Sequence, residues 1–543
     1  MESQRSFLLI GLAMVSFLLW QQWQVDYGPQ PAQPVESQQT VGSDAPNSNG
    51  DVPIATPTNK SALPTQSVVG KVISVTTDTL QLSINTVGGD VISANLLKYP
   101  LEQGSQGTYS LLRPSGPTIF VAQSGLVGTN GIDKGSRPTY SVGQDNFVME
   151  GDSLTVPITY TAKSGLRVTK EFIFSKNSHE VKVNYHVENT SSDVKSVKQF
   201  GQLKQSTVDQ GGSMFMPTYR GGAFSTEDER YEKYSFDDMQ DKNLNQSTPA
   251  GWAAMIEHYF VSAWVPPQDQ INSLYSKMTQ NGNAIIGFIG QPVDIESGQS
   301  VDIQSSLYLG PKDQDTLEKI ARGLDLTVDY GFLWWISKYL FAFLQFIHSL
   351  IGNWGFSIIL ITIVVKGAMY PLTKAQYESM AKMRALKPKM DALKERYGDD
   401  KQKMQQAMME MYKKDKVNPM GGCFPLLLQM PIFLALYWVL LESVELRHAD
   451  FIFWITDLSV KDPYFVLPIL TGLSMYLLQK LQPMTMTDPM QQKIMQFMPV
   501  AMSLFFFIFP AGLVLYWLIS NIITLIQAKI IYASMEKRGL KTK

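Results

Sequence analysis

A chain of 543 residues is long enough for two or three domains, and its net charge of −2 excludes the strongly basic face that general nucleic-acid binding requires. Its single cysteine, Cys423, excludes an intrachain disulfide and any zinc site built on several thiols; set in an apolar segment, it reads as a small buried hydrophobe. The mean hydropathy of −0.06 averages two unlike parts. Up to about Asp325 the chain is polar with alternating patterns, and beyond Gly331 long apolar runs dominate.

Residues 1–27 begin with Met1-Glu-Ser-Gln-Arg5 and continue into an apolar stretch from Phe7 to Trp20. A secretory signal has an apolar region of this length, but no Ala-x-Ala-like cleavage site follows. Trp20, Gln21, Gln22 and Trp23 instead suit a membrane–water interface, which predicts an uncleaved anchor helix. Residues 28–66, rich in Pro, Gln, Ser, Asn, Gly and Thr, hold too few large apolar side chains to offset ordering entropy and are expected to form a disordered tether.

Residues 67–330 carry a period of two. Leu80, Leu82 and Ile84 alternate with polar neighbours; Phe172 and Phe174 precede a Lys176–His179 turn, and Val181, Val183, Tyr185 and Val187 follow. This pattern predicts hairpin-rich antiparallel sheet with one face buried, in a large all-β sandwich. His179, His186 and His258 have no metal-ligand spacing. Glu257-His258-Tyr259 is the one imaginable acid–base pair, and isolated polar residues on strands are more often structural. No catalytic constellation emerges.

Residues 331–346, with Trp334 and Trp335 at the start and Ser337, Lys338 and Gln345 interrupting the apolar run, suit a helix lying in the membrane interface; a core helix of the β domain is the alternative. Residues 347–373 follow as a first span of the core, and further spans are expected within 420–531, at Pro425–Leu441, Tyr464–Leu478, Ile494–Phe509 and Gly512–Ile530. With the anchor this makes six, several of them short for a ~30 Å hydrocarbon core, which points to local thinning or a water-invaded bundle.

Between these spans, residues 374–419 carry twelve Lys and Arg from Lys374 to Lys416, whereas the next loop has Arg447 and Lys461 against five acidic residues. Residues 532–543 form a basic tail with Lys537, Arg538, Lys541 and Lys543. The positive-inside rule then puts this loop and both termini in the cytoplasm and the β domain outside, in the periplasm of a bacterium with an outer membrane. Met380, Met383, Leu386, Met390, Leu393 and Tyr397, then Met404, Met408, Met411 and Tyr412, recur at helical spacing on either side of Gly398-Asp399-Asp400. This predicts a helical hairpin, kinked at Pro388, whose methionines form its seam or an adaptable surface for apolar segments.

Within the spans, polar side chains recur. Thr362 and Lys366 are four apart on one helix face; Gln429 lies on the next span; Ser520, Thr524 and Gln527 share a face of the last, with Asn521 alongside. An ammonium in a span is costly and is a functional-site hypothesis by default. For Lys366 alone, snorkelling of its long stem to the interface stands beside that reading. Interhelical hydrogen-bond glue is common in bundles but needs no lysine. With no acidic partner in any span, water in a cavity open to the cytoplasmic side is the expected counterpart of the charge.

The stretches from Lys366 to Gln376, Val417 to Pro431, Asp488 to Pro499 and Phe509 to Asn521, in this order, resemble the YidC family of membrane protein insertases, of the YidC/Oxa/Alb superfamily. The resemblance is detailed from about Gly331 onward, and the layout of anchor, tether and β domain is similar to the Gram-negative type. It implies a multi-domain inner-membrane protein: an α-helical core of five transmembrane helices plus the anchor, with a periplasmic all-β supersandwich similar to sugar-mutarotase folds. It also implies insertion and chaperoning of nascent membrane proteins through a hydrophilic groove with a positive residue, drawn here from Lys366, Thr362, Gln429, Trp517, Ser520, Asn521 and Thr524. Met430, Phe433 and Phe505 match positions associated with the substrate exit path. Lipids, a Sec translocon, ribosomes and targeting factors are the implied partners; no nucleotide, metal or other cofactor is expected, nor any catalytic residue. The chain departs from many Gram-negative members in having Lys366 where they carry arginine, which loses the planar fork, and Trp517 where they carry a second tyrosine, which loses a hydroxyl acceptor.

Two other functions compete. A secondary transporter should show inverted repeats and Gly/Pro-broken helices pointing at a midplane site; no internal repeat is evident, and so few spans are sparse for such a machine. A membrane-anchored periplasmic carbohydrate-active protein needs paired carboxylates or an acid–base pair in the β domain, and leaves the polar residues of the spans without a role.

Overall fold

The computed structural model describes residues 52–53, 70–105, 107–115, 117–208, 218–398, 400–415, 424–481, 497–498 and 501–538. The anchor and nearly all of the tether lie outside these, as do residues 494–496 and 499–500 of the span expected at Ile494–Phe509.

Alternation dictates the first half. In Leu80–Asn85 the apolar residues are buried and Gln81 is exposed, because successive side chains of a strand point to opposite faces. The hairpin around Asn177 (φ 56°) joins Leu166–Ser175 to Glu180–Asn189 in antiparallel register. Two sheets result, one of eleven strands and one of eight. In the larger, Lys195–Ser206 lies between Phe120–Val127 and Asn283–Ile289. In the smaller, Ser300–Pro311 lies between Glu180–Asn189 and Phe260–Val265. Between the sheets lies an apolar core that includes Phe172, Phe174, Trp264 and Phe288. The short helix α1 (Phe236–Asp241) starts at a Ser235/Asp238 capping box, and α2 (Gln314–Ile320) at Asp313.

The acid–base pair imagined at Glu257–His258 is absent. The Glu257 carboxylate accepts from Tyr109 (2.6 Å), Arg113 (3.1 Å) and Gln205 (3.1 Å), whereas the His258 imidazole meets the carbonyl of Leu441. The two lie in the turn that joins Trp252–Ile256 to Phe260–Val265, closed by Glu257 N–H donating to Phe260 O at 2.9 Å, and their side chains have separate surroundings.

The helical half begins with α3 (Trp334–Ile351), two residues longer than the expected interfacial helix and shifted along the chain. Trp334, Trp335, Tyr339, Phe346 and Leu350 are exposed while Phe341, Leu344 and Ile347 are buried, the two-faced distribution of a helix at an apolar–polar boundary. Gly352, in the left-handed region at φ 72°, stops α3, and the Asn353 side chain caps α4 (Trp354–Ala368). The expected single span 347–373 is bent: α5 (Tyr370–Ala385) leaves α4 at 60°, with Pro371 in its first turn, where a missing N–H costs nothing.

Pro388 does not kink a hairpin helix either. It opens a new one, α6 (Lys387–Tyr397), for the same reason. The hairpin is therefore α6 with α7 (Lys401–Lys414), seamed by Leu386, Met390 and Met411, and α5 packs Tyr377 and Ala381 on the last helix instead. Next come α8 (Phe424–Glu442), α9 (Val466–Leu481), a helical segment at 501–506, and α10 (Ala511–Lys537). Among the described residues α10 alone is one straight helix long and apolar enough to cross a membrane; α4 with α5 qualifies as a bent pair, and the apolar parts of α8 and α9 are shorter.

Candidate functional site

A cavity of about 280 Å³ lies between α4, α8 and α10. Thr362, Lys366, Gln429 and Ser520 give it polar lining, and Val365, Met369, Met430, Ile432 and Phe433 give it an apolar one.

Helical spacing sets the polar wall. Thr362 is one turn before Lys366, and its buried hydroxyl donates to its own helix at Ile358 O (2.6 Å). Lys366 Nζ donates to Thr524 Oγ1 at 3.2 Å, and Thr524 in turn donates to Ser520 O at 2.7 Å. No carboxylate pairs with Lys366 among the described residues. Its ammonium, with three donors and one protein acceptor, retains capacity for water. The bend at Met369 deprives Lys366 O of its usual helical partner, and Gln527 Nε2 takes that place at 2.9 Å. Gln429 Nε2 reaches Thr373 Oγ1 at 3.3 Å.

Of the residues singled out from sequence, Lys366, Thr362, Gln429 and Ser520 line the cavity, and Thr524 joins them through Lys366. Asn521 and Trp517 do not. Asn521 Nδ2 donates to Ser474 Oγ on α9 at 3.0 Å, in the α9–α10 seam. The Trp517 ring lies 4.5 Å from Phe506, 5.3 Å from Phe509 and 5.9 Å from Phe433, in an aromatic cluster rather than a polar wall. The cause is the 100° step of a helix: Trp517 and Asn521 are four apart on one face, whereas Ser520, Thr524 and Gln527 occupy another. That second stripe runs back to Tyr516, a lining residue that the same spacing could have found.

Met430 and Phe433 line the cavity, Met430 being 47% exposed. Phe505, 38% exposed, lies outside it on the 501–506 segment, next to the Phe506 that packs against Trp517. Toward the β domain the bundle is closed. The first free amides of α10, Ala511 and Gly512, donate to Val460 O (2.7 Å) and Leu458 O (2.8 Å), and the Phe451 ring sits so close to Gly355 that a Cβ there would clash with it. No group of three or more His, Cys, Asp or Glu residues among those described could hold a metal.

Comparison with known proteins gives a consistent family. The profile of the YidC periplasmic domain matches residues 72–343, and that of the 60Kd inner membrane protein matches residues 346–538. The chain is 98% identical over 543 residues to the membrane protein insertase YidC of Pseudoalteromonas atlantica, covering 100% of both. It is 55% identical over 549 residues to that of Shewanella halifaxensis, again covering 100% of both. Among solved structures, an active YidC insertase with its first transmembrane domain resolved aligns at 18% identity and a TM-score of 0.37, covering 84% of this chain and 94% of that one.

Proposed function

Because the chain belongs to the YidC family of membrane protein insertases, we propose that it inserts membrane-protein segments into the bacterial inner membrane, and helps them fold, by way of the cavity between α4, α8 and α10. The observation that carries this reading is Lys366: an ammonium inside an apolar helix bundle, held among the described residues by one hydroxyl and no carboxylate. A polar or acidic segment of a client must lose water to cross, at a cost of several kcal/mol for an unpaired charge. A half-solvated cation lowers that cost by offering charge-assisted hydrogen bonds. The apolar stretches that follow meet Met430 and Phe433 on the opposite wall, where leaving toward lipid needs no polar group to be broken from a partner.

The work is transfer and binding, with no bond made or broken in the client. In this reading the basic hairpin α6–α7 and both termini are cytoplasmic and the β domain periplasmic, which the distribution of Lys and Arg supports. The hairpin's exposed basic face receives nascent chains from ribosomes or targeting factors, a Sec translocon is a partner for larger clients, and lipid contacts α3. Photocrosslinkers placed at Phe433 and Phe505 test the passage. Stalled nascent membrane proteins should be captured at Phe433 while their first apolar segment is entering; capture equal to that from a probe on the β-domain surface would refute it.

A further inference from the structure

Helix α8 ends on an acidic residue, where the carbonyl ends of the peptide dipoles already make the potential negative. Glu442 is also 4% exposed. Its carboxylate is met by Lys312 Nζ at 3.0 Å, the two side chains being 5% and 2% exposed, and His258 Nε2 lies 4.0 Å away. The His258 Nε2–H donates to Leu441 O at 3.0 Å, satisfying one of the carbonyls that a helix end leaves free. Both partners come from the β domain: Lys312 directly follows Ser300–Pro311, and its backbone N–H is held by Tyr259 O at 3.0 Å.

The contact is continued by the loop after α8. Val444 is part of the apolar core of the sandwich. Arg447 donates to Pro100 O at 2.8 Å, its guanidinium 5.5 Å from the ring centres of both Tyr109 and Phe260. Phe433 is nine residues before Glu442, about 14 Å along the helix. Pro431, two residues before Phe433, has no N–H to donate to Leu427 O, so the turn of α8 from Leu427 to Pro431 lacks a helical hydrogen bond.

We infer that Glu442 is a positioning residue: through Lys312 and His258 the β domain holds the part of α8 after Pro431, and so fixes Phe433 as one stationary side of the exit while the part before Pro431 moves. This gives the β domain a share in the insertion step without touching the client. A buried carboxylate that loses its cation must find water, and the end of α8 leaving the β domain is the way to reach it.

The inference rests on passage beside Phe433, and the test separates the two. Fluorine is introduced on the Phe433 ring of the full-length protein in lipid nanodiscs, with a second label at the exposed Phe346 as reference. The ¹⁹F signal of Phe433, whose ring lies 5.7 Å from Tyr516 and 5.9 Å from Trp517, reports its position against those rings. Lys312→Met should shift or broaden the Phe433 signal and leave Phe346 unchanged, and the swap Lys312→Glu with Glu442→Lys should restore it. Glu442→Gln, which keeps the shape and a hydrogen bond, should move it less and serves if Lys312→Met does not fold. An unmoved Phe433 signal in both single variants, or a swap that fails to restore it, overturns the inference. A moved signal with undiminished insertion of clients upholds the clamp and refutes passage beside Phe433.

Discussion

Replacing Lys366 separates an electrostatic groove from a merely tolerated lysine. The ammonium lines the cavity and donates to Thr524 at 3.2 Å, so its charge faces the neighbouring helices. A client carboxylate about 4 Å away gains about 1 kcal/mol in bulk water and about 4 kcal/mol at an effective dielectric constant of 20. A small cavity with Val365, Met369 and Phe433 on its walls lies between these limits. Lys366→Ala should therefore weaken capture of an acidic external tail by roughly fivefold to several-hundredfold, at 1.4 kcal/mol per factor of ten. Lys366→Glu should be worse again, because attraction becomes repulsion of similar size. Lys366→Arg should retain most activity, since one hydrogen bond to a hydroxyl is all the geometry to be kept. Asn521→Ala is the control, its amide being committed to Ser474 on the far seam. The assay is insertion into proteoliposomes of a matched client pair, one with an acidic tail and one with that tail neutralised, read by protease protection. If both clients respond equally to Lys366→Ala and Lys366→Glu, the charge has no role in capture and the reasoning fails.

Two further outcomes can be checked. With periplasmic access opened, an impermeant thiol reagent should label a cysteine placed at Lys182 on the β domain and spare one at Lys403 on the hairpin, in a Cys423→Ser background; the reverse pattern would invert the topology. Burial pushes the Lys170 ammonium down to about 7 from an ordinary 10.5, with nearby Asp90 opposing, although its Nζ donates to Gly89 O at 2.7 Å and Gly88 O at 3.2 Å. Between these values the unfolded chain binds the proton that the folded one has released, so stability rises with pH, by at most ~1.4 kcal/mol per unit. Thermal unfolding should show the native protein gaining on Lys170→Met from pH 7 to 10, and a constant difference between them would contradict the shift.

Much of this architecture was legible because it is local. Period two in Leu80–Asn85 and Glu180–Asn189 marks strands with one buried face, and the four-residue spacing brought Thr362 to Lys366 and Ser520 to Thr524. The same rules failed where a face has no single environment. All eight residues of Phe120–Val127 are buried, so alternation vanishes, and Gln199, Gln202 and Gln205 are buried polar groups on its partner strand. Asn521 looked like cavity lining because it follows Ser520 in sequence, yet one residue is 100° of helix and points it at α9. Pro388 announced a break but not its form, and Pro371 was passed over within the expected span 347–373, since a proline ends one helix or opens the next according to which turn it occupies. The pairing of Lys312 with Glu442 spans 130 residues, beyond the reach of any window along the chain.

Three lysines with their charge out of bulk water are held in three different ways, and the difference bears on what each can do. Lys170 donates to carbonyls of Gly88, Gly89 and Ser124 that belong to the rigid turn and sheet of the sandwich, so any exchange of partners would disrupt strands. Lys312 meets a full opposite charge at 3.0 Å, and separating the two leaves both buried and unpaired, roughly 3–5 kcal/mol by the usual cost of breaking such pairs. Among the described residues Lys366 has only the Thr524 hydroxyl, a neutral acceptor that already donates its own proton to Ser520 O and stays satisfied when the lysine leaves. A bond of that kind is worth about 1.5–3 kcal/mol, which a client carboxylate or a water can match. A groove that must take up and release many different segments needs a cation bound this weakly; a salt bridge at position 366 would stabilise the bundle and close the site. Supplying that missing carboxylate is the corresponding experiment. Thr524→Asp should pair with Lys366, leave the bundle at least as resistant to protease, and cut insertion of the acidic-tailed client far more than that of its neutralised partner. Full activity of Thr524→Asp on both clients would mean that the loosely held charge is not what the site uses.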